Sequence, residues 1–108
     1  MGSNERAKLL LLWEKGCPSC RTAKPEVLKA AKALADLVTF ESIDIGKVTL
    51  PYDSEVKAVP TLRLERPGCG PVMVTPDRFP RSGFTAEVVE SWVRGQLAAA
   101  TKGYCLRK

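Results

Sequence analysis

Two cysteines with two residues between them, Cys17-Pro18-Ser19-Cys20, are the part of this chain best equipped for chemistry. A thiolate attacks disulfides and binds metals, whereas a thiol does neither well. On a helix, two intervening residues place the sulfurs about one turn apart, near enough to bond to each other. What flanks the pair decides its use. Before it runs Leu9-Leu10-Leu11-Leu12-Trp13, an apolar stretch of strand length, then the break Glu14-Lys15-Gly16. After it, Ala23, Val27, Ala30, Ala31 and Leu34 recur at three- and four-residue spacing, the mark of an amphipathic helix. The thiols therefore sit where a buried strand hands over to a helix N-terminus. Unpaired N–H groups and the positive end of the helix dipole favour thiolate over thiol at Cys17. Pro18 suits the first turn, where a missing N–H costs nothing. Cys20, one turn inside, is expected to be the more buried sulfur and to hold its proton more tightly.

Other chemistries fit less well. The chain has no histidine, which excludes His-assisted nucleophiles, Cys/His zinc fingers and haem attachment of the C-x-x-C-H kind. Cys69 and Cys105 complete a set of four cysteines. A four-cysteine zinc site normally supplies a second close pair, and these two stand 36 positions apart. No metal is therefore expected. Cys69, within Pro67-Gly68-Cys69-Gly70-Pro71, reads as a free thiol in an exposed turn; pairing with Cys105 or regulatory oxidation are the alternatives. The net charge of +5 comes from scattered Lys and Arg with few aromatics between them. That describes a solvated basic surface rather than a nucleic-acid interface. No stretch nears the roughly 20 apolar residues of a membrane span. Leu9–Trp13 is too short for a signal-peptide core and lacks a small-residue cleavage site after it. Arg107 denies the C-terminus the aliphatic residue of a prenylation box. The expectation is a cytoplasmic protein with one dedicated redox pair in a reducing compartment.

The elements that position the pair read as one domain over residues 1–108, with a core over about 7–99 and a flexible basic tail over 100–108. A chain this long sustains one core without disulfide staples. The first strand spans 7–13, and its unbroken apolar run suits a central strand covered on both faces. A helix follows over 18–36, kinked at Pro25. A β-rich stretch, 37–45, completes a βαβ unit with a parallel strand pair. Asp53 is placed to cap a short helix through Lys57. A third strand over 58–65, the turn Pro67-Gly68 and an antiparallel return over 71–75 come next. After an irregular loop, Thr85 is the expected N-cap of a last helix carrying Val88, Val89, Trp92, Val93 and Leu97. The class is α/β, in the order β-α-β-α-β-β-α: a mixed four-stranded sheet with helices on both faces.

The order of these elements and the residues at their joints resemble the thioredoxin fold. Trp13 stands four before the first cysteine, Cys17-Pro18-Ser19-Cys20 opens the helix, and Pro25 falls five after Cys20. Ile43-Asp44 closes the second strand, and Val59-Pro60-Thr61 is similar to the cis-proline loop that faces the thiols in that superfamily. Ser82-Gly83-Phe84 through Leu97 is similar to its glycine-then-helix ending. The resemblance implies thiol–disulfide exchange, with Cys17 as nucleophile and Cys20 as resolving thiol. It implies a substrate-contacting surface of Trp13, Pro18, Val59, Pro60 and Gly83, with Tyr52 a further apolar candidate near the thiols. It implies disulfide-containing proteins as substrates, no bound cofactor, and electrons from a thioredoxin reductase/NADPH system or from glutathione. The protein is expected to act as a monomer. There are departures. Leu11 stands where thioredoxins carry a buried aspartate, and Phe40 is near the place of their usual lysine. Water, Glu14, Lys15 or Lys24 is then left to handle the proton of Cys20. The proline directly after Cys17 resembles glutaredoxins, but their Gly-Gly glutathione signature does not follow the third strand. The alternatives are a glutathione-coupled donor to a dedicated target, and a redox-inactive module that binds a partner strand on the Val59-Pro60 face.

Overall fold

The computed structural model describes residues 6–101. Its first strand, β1 (Ala7–Trp13), has a neighbour on each edge. β2 (Val38–Asp44) pairs with it in parallel, and β3 (Thr61–Glu65) pairs antiparallel on the other side. β4 (Val72–Val74) adds antiparallel to β3, giving the order β2-β1-β3-β4. Successive side chains on a strand point to opposite faces. Leu9 and Leu11 face one way and Leu10 and Leu12 the other, yet none is more than 3% exposed. This is the physical reason the run carries no polar alternation.

The mixed four-stranded sheet and the α/β class are as the sequence implies. The covering of its two faces is not. The helices α1 (Pro18–Ala33) and α2 (Ala86–Thr101) lie on the same side. One core joins Leu11 and Leu64 of the sheet to Val27 of α1 and to Val89 and Val93 of α2. On the opposite face the β2–β3 connection holds only one 3-10 turn, Asp53–Glu55, in place of the expected helix through Lys57. Pro51 and Pro60 bracket this stretch and leave little chain for a helix. Asp53 spends its carboxylate on the Leu50 N–H, 3.0 Å away, which closes a turn instead of capping a helix.

That face is covered by side chains. The Arg63 side chain is 10% exposed; its Nε donates to Glu65 Oε2 at 2.9 Å, and Nη1 lies 3.4 Å from Glu55 Oε1. The guanidinium stacks 3.6 Å from the centroid of the Tyr52 ring. Tyr52, expected beside the thiols, instead lies over the sheet. Its ring fills the role the missing helix leaves open. Burial pushes the Tyr52 phenol up; Arg63 opposes this, and the charges of Glu65, Glu41 and Asp53 add to it.

Several boundaries differ from the expected ones, β2 being shorter by one residue at each end. α1 stops at Ala33 because Leu34 leaves helical geometry (φ −103, ψ 15), and its carbonyl accepts the N–H groups of Leu37 and Val38 at 2.8 and 2.9 Å. β3 starts at Thr61 because residues 58–60 form a turn with a cis Val59–Pro60 bond, closed by Thr61 Oγ1 donating to the Ala58 carbonyl at 2.6 Å. β4 is shorter than the expected strand by two residues. Thr85 does cap α2, accepting the Val88 N–H at 3.2 Å. Glu26 of α1 takes a second end group, the Ala86 N–H, at 2.8 Å, and so ties the two helices together. Among the described residues no helix is long and apolar enough to cross a membrane. Ala100 and Thr101, expected in the flexible tail, belong to α2; the rest of that tail, with Cys105, lies outside the described residues.

Leu34 is fully buried, whereas Leu28 on the same helix region is 41% exposed. Leu34→Ala is expected to cost about 2–5 kcal/mol in urea denaturation, and Leu28→Ala to stay within about 0.5 kcal/mol of the parent. Equal costs would refute this assignment of the α1 faces. The raised Tyr52 phenol favours the neutral ring in the folded state. Its stabilisation is complete below the unfolded-state value of about 10 and is lost as pH rises through the folded value. A Tyr104→Phe protein keeps Tyr52 as its one tyrosine. Its alkaline absorbance titration should have a higher midpoint when folded than in urea.

Candidate active site

β1 ends at Trp13, and the chain must turn before α1 begins. Gly16 makes that turn with φ +86, a left-handed conformation that side chains disfavour. The space beside it is open, so the glycine answers a dihedral requirement rather than a close approach. The turn closes with the Cys17 N–H donating to the Glu14 carbonyl at 3.3 Å. Cys17 is then the N-cap of α1, in extended geometry (φ −95, ψ 109), with Pro18 in the first turn. Its Sγ accepts the Cys20 N–H at 3.0 Å. A sulfur here does what a Ser or Asp oxygen does at other helix starts: it takes an end N–H that the helix itself leaves unpaired.

Cys17 and Cys20 are joined in a disulfide with their Cα atoms 5.2 Å apart. Cys17 is half-buried and Cys20 is 3% exposed, the asymmetry expected of a first and second thiol. The cis turn before β3 brings the Val59 carbonyl oxygen to 3.8 Å from Cys17 Sγ, across 42 positions of sequence. Pro60 behind it is fully buried.

Trp13 and both cysteines line a shallow depression of about 230 Å³. The Trp13 ring is held at both ends: Nε1 donates to Ser42 Oγ at 2.8 Å, and Lys24 Nζ sits 3.8 Å from the ring centroid. The charged groups of the rim are Glu14, Lys15, Arg21 and Lys24. Three of these are the groups the sequence left to handle the Cys20 proton. Leu11, at the position of the superfamily's buried acid, is fully buried in the apolar core, and Phe40 packs against the same core.

The structure thus gathers Cys17, Cys20, Trp13 and Val59, with Pro18 at the helix start and Pro60 fixing the turn. Gly83 does not line the depression. It adopts φ +62 and donates its N–H to the Phe79 carbonyl at 2.7 Å, leading the chain into α2. Arg21 was not singled out from the sequence, although its place directly after Cys20 on the helix was a usable signal. The Ser42 contact had none, since it depends on the β1–β2 register.

Cys69 is a correction. It is disulfide-bonded rather than a free thiol, and its partner lies outside the described residues. Its turn is not loose. The buried Arg66 guanidinium donates to the Gly70 carbonyl at 2.8 Å and, through Nη1, to the Gln96 carbonyl at 3.5 Å. These bonds fasten the turn to α2. Among the described residues no group of three or more His, Cys, Asp or Glu side chains is placed to hold a metal.

Comparison with solved structures places this architecture among thioredoxin folds. The J-Trx1 fragment of ERdj5 superposes with a TM-score of 0.70 at 19% identity, covering 86% of this chain and 44% of that one. The chain thus spans less than half the length of that fragment. Chloroplastic thioredoxin z gives 0.67 at 19% identity, over 90% of this chain and 82% of that one. The germline-specific thioredoxin Deadhead of Drosophila melanogaster gives 0.67 at 15% identity, over 85% and 82%. No curated protein matches the chain. The family model for thioredoxin matches residues 2–80. That stretch runs from β1 through β4 and holds both the cysteine pair and the cis-proline turn; the chain belongs to the thioredoxin family.

Proposed function

We propose that the protein is a thiol–disulfide oxidoreductase that reduces disulfides in other proteins. The observation that carries this reading is the pairing of a half-exposed sulfur at a helix N-terminus with a buried partner already within bonding reach. In the reduced protein, the Cys20 N–H and the helix dipole stabilise negative charge on Cys17. The thiolate attacks one sulfur of a substrate disulfide. A new S–S bond forms to Cys17 as the substrate bond breaks, and the departing thiolate takes a proton from water. Cys20 then loses its proton and attacks Cys17 Sγ, expelling the second substrate thiol. Two electrons and two protons pass to the substrate, and the Cys17–Cys20 disulfide remains.

Substrate geometry follows from the cis turn. Val59 presents its carbonyl beside Cys17, and Pro60 has no N–H to compete for partners. An extended substrate segment can pair with this main chain as a strand adds to an edge. Trp13 supplies an apolar wall. Because Leu11 offers no carboxylate, the Cys20 proton leaves by water or by Glu14, Lys15 or Lys24 at the rim. The oxidised protein is returned to the dithiol by a thioredoxin reductase with NADPH or by glutathione. On this reading it holds no cofactor of its own and acts as a cytoplasmic monomer.

Cys17→Ser is expected to reduce insulin turnover with dithiothreitol to the uncatalysed rate. Cys20→Ser should form the first bond and stall, accumulating substrate adducts visible on a non-reducing gel. Wild-type turnover by the Cys17→Ser protein would end the oxidoreductase reading. Supplying a reductase with NADPH in one assay, and glutathione in another, identifies the electron source by which of them sustains turnover.

A further inference from the structure

The geometry points to a preference for substrate disulfides flanked by acidic residues, bound by Lys15, Arg21 and Lys24 at the rim of the thiol depression. This rests on the disulfide-reducing role proposed above and narrows its substrate class.

Two independent observations support it. The first is pairing. Lys8, Lys29, Arg63 and Arg94 each have a carboxylate within 4.0 Å. Among the described residues, Lys15, Arg21 and Lys24 form no ion pair, a state they share with Arg6, Lys32, Lys47, Lys57, Arg66, Arg78 and Arg81. What sets the three apart is that all of them line the thiol depression. Lys24 faces an aromatic ring instead of an anion. Glu14, the single acid of the rim, stands against three cations. The second is placement. Helix N-termini favour Asp and Glu in their first turn, but α1 has no acid there. Arg21 follows at once, and Lys24 one turn later, near the positive end of the dipole. Cations in this position oppose the helix rather than support it. The unmet positive field of the helix end and three side chains thus converges on one depression.

An acidic segment satisfies all of it. Charges lining a cleft steer oppositely charged partners and raise association rates. A substrate pairing with the Val59 main chain and held to Cys17 carries its flanking residues past the rim. Aspartate or glutamate there meets Lys15, Arg21 and Lys24, and lysine or arginine meets repulsion.

The test uses the reduced full-length protein and two peptides of equal length, each with one disulfide. One is flanked by Asp and Glu, the other by Lys and Arg. Uncharged dithiodipyridine reports the nucleophile without any charge preference. At low ionic strength the acidic peptide should react about tenfold faster than the basic one. The ratio should fall toward unity in high salt, where charges farther apart than a few ångströms are screened. Arg21→Glu combined with Lys24→Glu should invert it. The ratio is taken within each protein, so any change in Cys17 reactivity cancels. Equal rates for the two peptides, or a ratio indifferent to salt and to the charge reversal, would overturn the preference while leaving the oxidoreductase role intact. Failure to react with dithiodipyridine and with both peptides would instead overturn that role, and the preference with it.

Discussion

The 3.0 Å bond from the Cys20 N–H to Cys17 Sγ is the contact on which the site depends. It exists only if Cys17 is the N-cap of α1, and that position is set by the strand before it. β1 lies between β2 and β3, so its end is fixed on both edges. Gly16 then turns the chain within a single residue of left-handed backbone. Sheet pairing brings the sulfur to the first turn, where the Cys20 N–H and the bond to Cys20 hold it. The same sheet fixes the opposing wall. β3 pairs with β1 through Leu12 and Thr61, so the residues just before Thr61 arrive at the end of β1 where the cysteines begin. Val59 reaches Cys17 because two strands share a register.

The two faces of the sheet solve the burial problem differently. One is closed by α1 and α2, with Glu26 joining them at the start of α2. The other is closed by a connection that forms only one 3-10 turn, through Tyr52 over Arg63. A buried guanidinium is costly unless its donors are met. Glu65, at 2.9 Å, is the stronger partner; Glu55 is 60% exposed and 3.4 Å away, so solvent weakens its hold. That polar pairing gives the connection a fixed anchor on β3. The same connection ends in the cis turn that carries Val59 to Cys17. The covering of the second face and the placing of the Val59 carbonyl beside Cys17 are therefore one structural task.

The cysteine pair, the strand–helix junction and the order of elements were legible because each rests on local pattern: an apolar run, a glycine, a proline and a helical period. Thr85 as a cap was legible for the same reason. What the sequence hid depends on chain segments meeting. Glu26 caps a helix 60 positions away, and Trp13 finds Ser42 only through parallel pairing. Tyr52 carries apolar area that composition alone places anywhere; the buried Arg63 decides where it goes. Cys69 misled because its turn is exposed, as the sequence implies, and nothing beside it in the chain marks it as disulfide-bonded; the buried Arg66 fastens that turn to α2. Each buried arginine joins a near partner to a more distant one: Arg63 meets Glu65 on its own strand and Glu55 in the connection before it, and Arg66 meets Gly70 in its own turn and Gln96 on α2.

Leu11 shows how core and chemistry compete for one position. A fully buried leucine contributes about 1.5–3 kcal/mol by leaving water. A carboxyl in the same apolar cluster, with Val27 and Leu62 for company, lacks partners, and burying an unpaired polar group costs roughly as much again. The chain has the stabler choice, and with it a sheet that offers no base beneath the buried thiol. On the proposed function, the proton of Cys20 leaves outward, through the depression lined by Glu14, Lys15 and Lys24. That rim is mostly cationic, and cations favour a thiolate over a thiol. On that same proposal, the field that favours a thiolate at this site is the field on which the proposed charge preference rests.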